Sequence, residues 1–234
     1  NTLYESSGGY DKSKITKYKI NIGEEDYQKL TMEANYVIKP AHFAEGIDFS
    51  FEDSGTYFYQ LTWTDKLLYK YTQDLKFVDM KQMPTEIKQG WGITHDPADP
   101  SFHLISDGSN KIYKVNLSAN TPHIITTYTI FYDDGPPAVL LNALQWINGK
   151  LWANVYLSPY IVQISIDKQR VEKILDLSHL IEHANSLKVK MDNRNLQNDE
   201  CLNGIGYNPR TKQLLITGKN WNAIYHIELV TQKD

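Results

Sequence analysis

The sequence has almost no cysteine, no long apolar run and no excess of one charge. Cys201 is its only cysteine, so no internal disulfide can form, and thiol pairing says nothing about redox compartment. A lone buried or half-buried thiol is the expectation there. No apolar stretch approaches the roughly 20 residues that cross a bilayer, and no cleavable signal is visible in residues 1–30. Membrane insertion is therefore not expected. With 24 basic against 28 acidic residues, a formal charge of −4 and no basic stripe, nucleic acid is not expected as a partner.

What the sequence does contain points to strands. It has 16 Tyr, 7 Phe and 5 Trp among many Ile, Val and Thr, with Gly, Pro, Asn and Asp spread evenly as turn formers. A chain of 234 residues suffices for one core, and one all-β domain spanning residues 1–234 is expected.

Internal repetition is the strongest signal. "LYESSGGYDKSKITKY", "YFYQLTWTDKLLYKY", "FHLISDGSNKIYKV", "LWANVYLSPYIVQI" and "LLITGKNWNAIYHI" each read as an alternating strand, a polar turn and a second alternating strand. In the last four, an apolar residue opens the second strand ten positions after the first begins: Leu67, Ile112, Ile161 and Ile224. A shorter apolar segment precedes the hairpins, in "EGIDF", "WGITHDP", "NALQWI" and "NGIGYNP". Copies start 45 to 63 residues apart, a period that suits four-stranded propeller blades better than a sandwich. A five-bladed β-propeller with antiparallel blades is thus expected, with strands A to D in each. "FVDMKQM" and "IITTYTI" are the weaker D strands. Five hairpins have only four A strands in the chain, so the first A strand is expected to precede Asn1.

In a propeller the start of A and the B-to-C turn lie on one face. That rule selects Glu45, Trp91, Asn142 and Asn203 from the A starts, and Gly8, Trp63, Asp107, Tyr156 and Lys219 from the turns. Aromatics with a few convergent polar groups make a small-ligand site. Glu45 is the only carboxylate among the A starts.

These segments resemble the glutamine cyclotransferase family, the plant and bacterial type of glutaminyl cyclase. "LYESSGGY", "FAEGI", "YQLTW", "GWGITHD", "SDGS", "LNALQWINGKLWANVY", "LNGIGYNP" and "TGKNW" occur in the family's order over nearly the whole chain. The resemblance places the family's carboxylate on Glu45, its early tryptophans on Trp63 and Trp91, its asparagine on Asn142 and its late lysine on Lys219. The chain departs from the pattern in three ways. The family's Phe-Thr-Gln-Gly opening would precede Asn1, Asn-Glu-Leu-Glu-Trp reads Asn142-Ala143-Leu144-Gln145-Trp146, and a common Trp is Tyr156.

The resemblance implies conversion of the amino-terminal glutamine of peptides or proteins to pyroglutamate with release of ammonia. It implies a monomer of the secretory or periplasmic route that needs no catalytic cofactor; a structural ion is left open. In this chemistry Glu45 is expected to carry the proton, with Lys219 and Asn142 as electrostatic partners. Trp63, Trp91 and Tyr156, with Asn203 and Asp107 in support, would enclose the side chain. Burial would raise the Glu45 pKa and Lys219 would lower it, a balance the sequence leaves open. The alternative is a non-catalytic propeller that binds peptide or glycan on the same aromatic face.

Other motifs favour plainer roles. "HLIEH", His179 to His183, fits a zinc pattern but follows "DLS", and reads as a single surface helical turn. His95-Asp96 in "THDP" reads as turn chemistry at the far end of strand A. Lys188 to Glu200 reads as a mobile loop.

Overall fold

The computed structural model describes residues 2–21 and 29–229. Its strands form five antiparallel sheets in chain succession. The first holds β1 (Thr2–Ser7), β2 (Lys14–Asn21) and β3 (Lys29–Val37). The second holds β4 (Ala44–Glu52), β5 (Gly55–Thr62), β6 (Leu67–Thr72) and β7 (Phe77–Gln82). The third comprises β8 (Ile93–His95), β9 (His103–Ser106), β10 (Lys111–Asn116) and β11 (His123–Thr129). β12 (Leu141–Ile147), β13 (Lys150–Val155), β14 (Tyr160–Ser165) and β15 (Arg170–Asp176) form the fourth. The fifth holds β16 (Leu202–Asn208), β17 (Gln213–Gly218) and β18 (Tyr225–Ile227). These are the blades of a five-bladed β-propeller, and every hairpin read from the repeat is present.

Local chemistry explains the register. Asn148 and Gly149, at φ +50° and +78°, form the tight Asn-Gly turn between β12 and β13, whose right-handed twist suits a two-residue hairpin. The Thr62 hydroxyl accepts the Leu67 amide at 2.8 Å and closes the β5–β6 turn, while Lys66 takes a left-handed conformation at φ +54°. The inner strand β5 is covered on both faces: it ends in a run from Phe58 to Thr62 that is entirely buried.

The chain divides into two compact units, one of residues up to Asp107 with Tyr113–Thr127, the other of Gly108–Ile112 with the residues from Tyr128 onward. In the first, Tyr59, Leu61, Leu68, Met83, Ile93 and Ile105 belong to one core cluster. A second cluster there gathers Ile15, Ile38, Phe58, Tyr69 and Tyr71. In the other unit Ile147, Trp152, Ile161, Leu214 and Ile216 form the core.

Two expectations are corrected. "HLIEH" begins not a single turn but a helix of 15 residues, α1 (Ser178–Asp192), whose entry is held by the Asp176 carboxylate accepting the Ser178 amide at 2.9 Å. The stretch from Lys188 to Glu200 is accordingly not a loop in its first part. Lys188 is buried and donates to the Asn220 carbonyl at 2.8 Å and the Asn222 side chain at 3.0 Å. No described helix is long and apolar enough to cross a membrane.

Candidate functional site

One backbone device recurs at the A starts. Ala44 pairs with Thr62 and Ile47 with Gln60, so Glu45 and Gly46 together face the single residue Leu61. In the same way Asn142 and Ala143 face Asn154, and Asn203 and Gly204 face Thr217. Each is a β-bulge, which turns the extra side chain out of the pleat. In the third sheet Trp91 donates its amide to the Ser106 carbonyl at 3.1 Å, and Ser106 returns a bond to the Gly92 carbonyl at 3.0 Å. Glu45, Trp91, Asn142 and Asn203 thus occupy equivalent posts, each followed by a small residue: Gly46, Gly92, Ala143 or Gly204.

A second device fixes the residues after the B strands. The Trp63 amide donates to the Phe43 carbonyl, Tyr156 to Leu140 and Lys219 to Cys201, each at 2.9 Å. Every acceptor sits two residues before the bulge residue of its own sheet. The backbone therefore sets Trp63 by Glu45, Tyr156 by Asn142 and Lys219 by Asn203.

In the first unit, the side chains around Glu45 are held from several directions. Glu45 is half-buried, and its main-chain carbonyl accepts the Ser6 hydroxyl. Ser6 accepts the Gln60 amide at 2.8 Å. The indole N–H groups of Trp63 and Trp91 both donate to Gln89 Oε1, at 2.5 and 2.8 Å. Phe43 meets Trp63 edge-on with ring centroids 5.9 Å apart. Asp107 is buried and accepts the Tyr113 hydroxyl at 3.0 Å, which gives it a structural partner beside Ser106.

In the second unit, Lys219 Nζ lies 5.0 Å from the centre of the Tyr156 ring and joins no ion pair among the described residues. Asn142 is buried, and Asn154 ties its bulge to the next one. The Asn154 side chain accepts the Ala143 amide at 2.9 Å and donates to the Leu202 carbonyl at 3.0 Å. The Asn203 amide nitrogen is buried without a hydrogen-bond partner among the described residues. Close by, Arg194 grips Glu200 with two bonds of 2.6 and 2.7 Å and holds its carboxyl down to about 2. This clasp borders a cleft of about 410 Å³ lined by Leu157, Pro159, Ile181, Asn185 and Cys201. Cys201 is half-buried, as expected of a lone thiol.

His179 is fully exposed and His183 bonds the Tyr225 hydroxyl at 3.1 Å, so "HLIEH" lies on a surface helix. Asp96 makes the expected turn, accepting the Ala98 amide at 2.9 Å. His95 does more than the turn reading allowed: its Nδ1 lies 2.8 Å from Asp48 Oδ2. Burial lowers the His95 pKa, and the Asp48 hydrogen bond and charge more than offset this, leaving it above the usual imidazole value. Gln89, Asn154 and Ser6 were also missed. The small residue after every A-start side chain was the sequence signal for the bulges.

A five-bladed propeller that sets side chains on repeated bulges at its A starts, with indoles and a lysine at the adjoining turns, defines the class. A model of the glutamine cyclotransferase family matches residues 1–229, and the chain belongs to that family. The glutaminyl-peptide cyclotransferase of Arabidopsis thaliana is 28% identical over 229 residues, which is 97% of this chain and 63% of the relative's length. The crystal structure of Myxococcus xanthus glutaminyl cyclase matches with a TM-score of 0.75 at 20% identity, over 96% of this chain and 84% of that one. That likeness carries the fold.

Proposed function

We propose that this protein is a glutaminyl-peptide cyclotransferase that acts on peptides or proteins with amino-terminal glutamine and needs no metal for the chemistry. Family membership supports this, and the observation that carries it is Glu45 standing as the one carboxylate among four equivalent bulge posts. The α-amine nitrogen attacks its own side-chain carboxamide carbon, a C–N bond forms, and the bond to the amide nitrogen breaks to release ammonia. Both reactants lie in one residue, so holding the chain folded back supplies much of the acceleration.

A peptide α-amine has a pKa of about 7.7–8.0 and is largely protonated at neutral pH, so a base must free it. Glu45 takes that proton and returns one to the departing nitrogen. Lys219, with Asn142, stabilises the negative charge that develops on the carboxamide oxygen. Trp63, Trp91 and Tyr156 enclose the aliphatic part of the glutaminyl side chain and exclude water, with Asn203 and Asp107 as supporting positions. A monomer in a secretory or periplasmic compartment fits this role.

The test is incubation of a Gln-initiated dipeptide with the protein, scoring ammonia and pyroglutamyl product with and without chelator. Release that survives chelation supports the assignment. Binding of the dipeptide without turnover supports a peptide-binding propeller instead, and release abolished by chelator overturns the metal-independent chemistry.

A further inference from the structure

Asp48, His95 and His103 form a second cluster, all in the first unit and away from Glu45 along β4. Asp48 lies three residues beyond Glu45, about 10 Å along an extended strand. His95 ends β8 and His103 begins β9, and the two are cross-strand partners, which brings both imidazoles to one face of the sheet. Their rings lie 5.8 Å apart. Asp48 Oδ2 is 2.8 Å from His95 Nδ1 and 3.7 Å from His103 Nε2, and one ligand atom from each residue lies within 4.8 Å of the others.

We propose that Asp48, His95 and His103 bind a divalent first-row transition ion of the zinc class, in a structural role. A tetrahedral ion with bonds of about 2.0–2.1 Å holds its ligand atoms roughly 3.3–3.4 Å apart, and the observed 2.8 and 3.7 Å bracket that spacing. Two imidazoles and a carboxylate suit zinc, cobalt, nickel or copper; calcium takes about six to eight oxygens and magnesium an octahedron of them. The Phe49 carbonyl, 3.2 Å from His103 Nε2, is a further oxygen donor at the cluster's edge.

Two features mark a built site. The histidines are 5% and 2% exposed while Asp48 keeps 11%, so the imidazoles are fixed and the carboxylate side gives a path for an ion. Phe49 packs edge-on against His95 with centroids 4.7 Å apart, and Tyr59 does so against His103 at 5.7 Å. Tyr59 is itself held by a 2.7 Å bond to Glu52, which Lys70 also grips at 2.7 Å. Further, His103 Nδ1 is buried with no hydrogen-bond partner among the described residues. The ion would meet the other ring nitrogen, Nε2, which faces Asp48 and lies beside the Phe49 carbonyl. The site stands whether or not the protein cyclises glutamine.

Cobalt titration of chelator-treated protein tests it. A single equivalent should bind and give the visible absorption of a tetrahedral centre, and zinc should displace it. Zinc at a hundredfold excess over Kd should raise the melting temperature by about 5–10 °C. Asp48→Asn and His103→Gln should lose both responses, whereas His179→Ala/His183→Ala should keep them. Absence of a stoichiometric cobalt spectrum in the unaltered protein overturns the site without recourse to any variant. So does binding that survives in folded Asp48→Asn, or that disappears in the helix double variant. Glutamine cyclisation is scored separately: below the melting temperature it should persist without zinc.

Discussion

The Gly46 amide donates to the Trp91 carbonyl at 2.8 Å, tying the Glu45 bulge to the equivalent bulge of the next sheet. The approach requires glycine: a Cβ at position 46 would lie 2.7 Å from the Trp91 carbonyl oxygen and 3.0 Å from the Ile93 amide nitrogen. Gly46→Ala should therefore displace backbone and cost about 1–3 kcal/mol of stability. Gly206→Ala is the control, since its added carbon would meet only Leu215 Cβ at 3.7 Å. Urea denaturation of both variants should show a lowered midpoint for the first and little change for the second.

Glu45→Gln should lower kcat by about 10²–10⁴-fold, the usual worth of a positioned acid–base group. The Ser6 hydroxyl bonds the main-chain carbonyl of residue 45, so that anchor survives the substitution. Steady-state kinetics beside a melting curve checks this. Wild-type turnover in a folded variant removes Glu45 from the chemistry.

Gln89→Met removes the acceptor that Trp63 and Trp91 share. With the indoles less firmly oriented, the dissociation constant for a Gln-initiated peptide should rise several-fold, on the order of 1 kcal/mol. Titration followed by tryptophan fluorescence reads the change. A loss confined to kcat would contradict this positioning role.

Asn154 is fully buried and serves two chain segments, so Asn154→Ala strands the Ala143 amide and the Leu202 carbonyl. Each orphaned group costs about 1–3 kcal/mol. The variant should unfold several degrees below the parent in a thermal scan, more than a surface Asn→Ala such as Asn198→Ala.

The Arg194–Glu200 clasp gives a pH signature. The Glu200 carboxyl falls from its ordinary 4.5 to about 2 in the fold. A depressed carboxyl pKa stabilises above the unfolded value, and that contribution is lost as pH drops from about 4.5 to about 2. The melting-temperature deficit of Glu200→Gln should be greatest near neutrality and shrink through that window. A deficit constant from pH 7 to pH 2 contradicts the assignment.

Much of the fold was legible because strand alternation and Asn-Gly or Asp-Gly turns are local signals, repeated often enough to reinforce one another. Helix α1 was read too short because its apolar stripe, Leu180, Ile181, Ala184 and Leu187, is brief and is continued by a buried charged residue, Lys188, inside a polar run. Its anchor is the long-range grip of Lys188 on Asn220 and Asn222. His95 was assigned to a turn because its partner, Asp48, lies 47 positions away.

Side-chain chemistry at the A starts was set by sequence alone: which posts carry an acid, an indole or an amide, and that a small residue follows each. Only the tertiary structure decided how those posts are aimed, because a bulge exists in the pairing of two strands and not in either strand by itself. The Asp48, His95 and His103 cluster shows the same division. Their identities are written in the chain, but their proximity comes from hydrogen-bonded registers that bring residues distant in sequence to within a few ångströms.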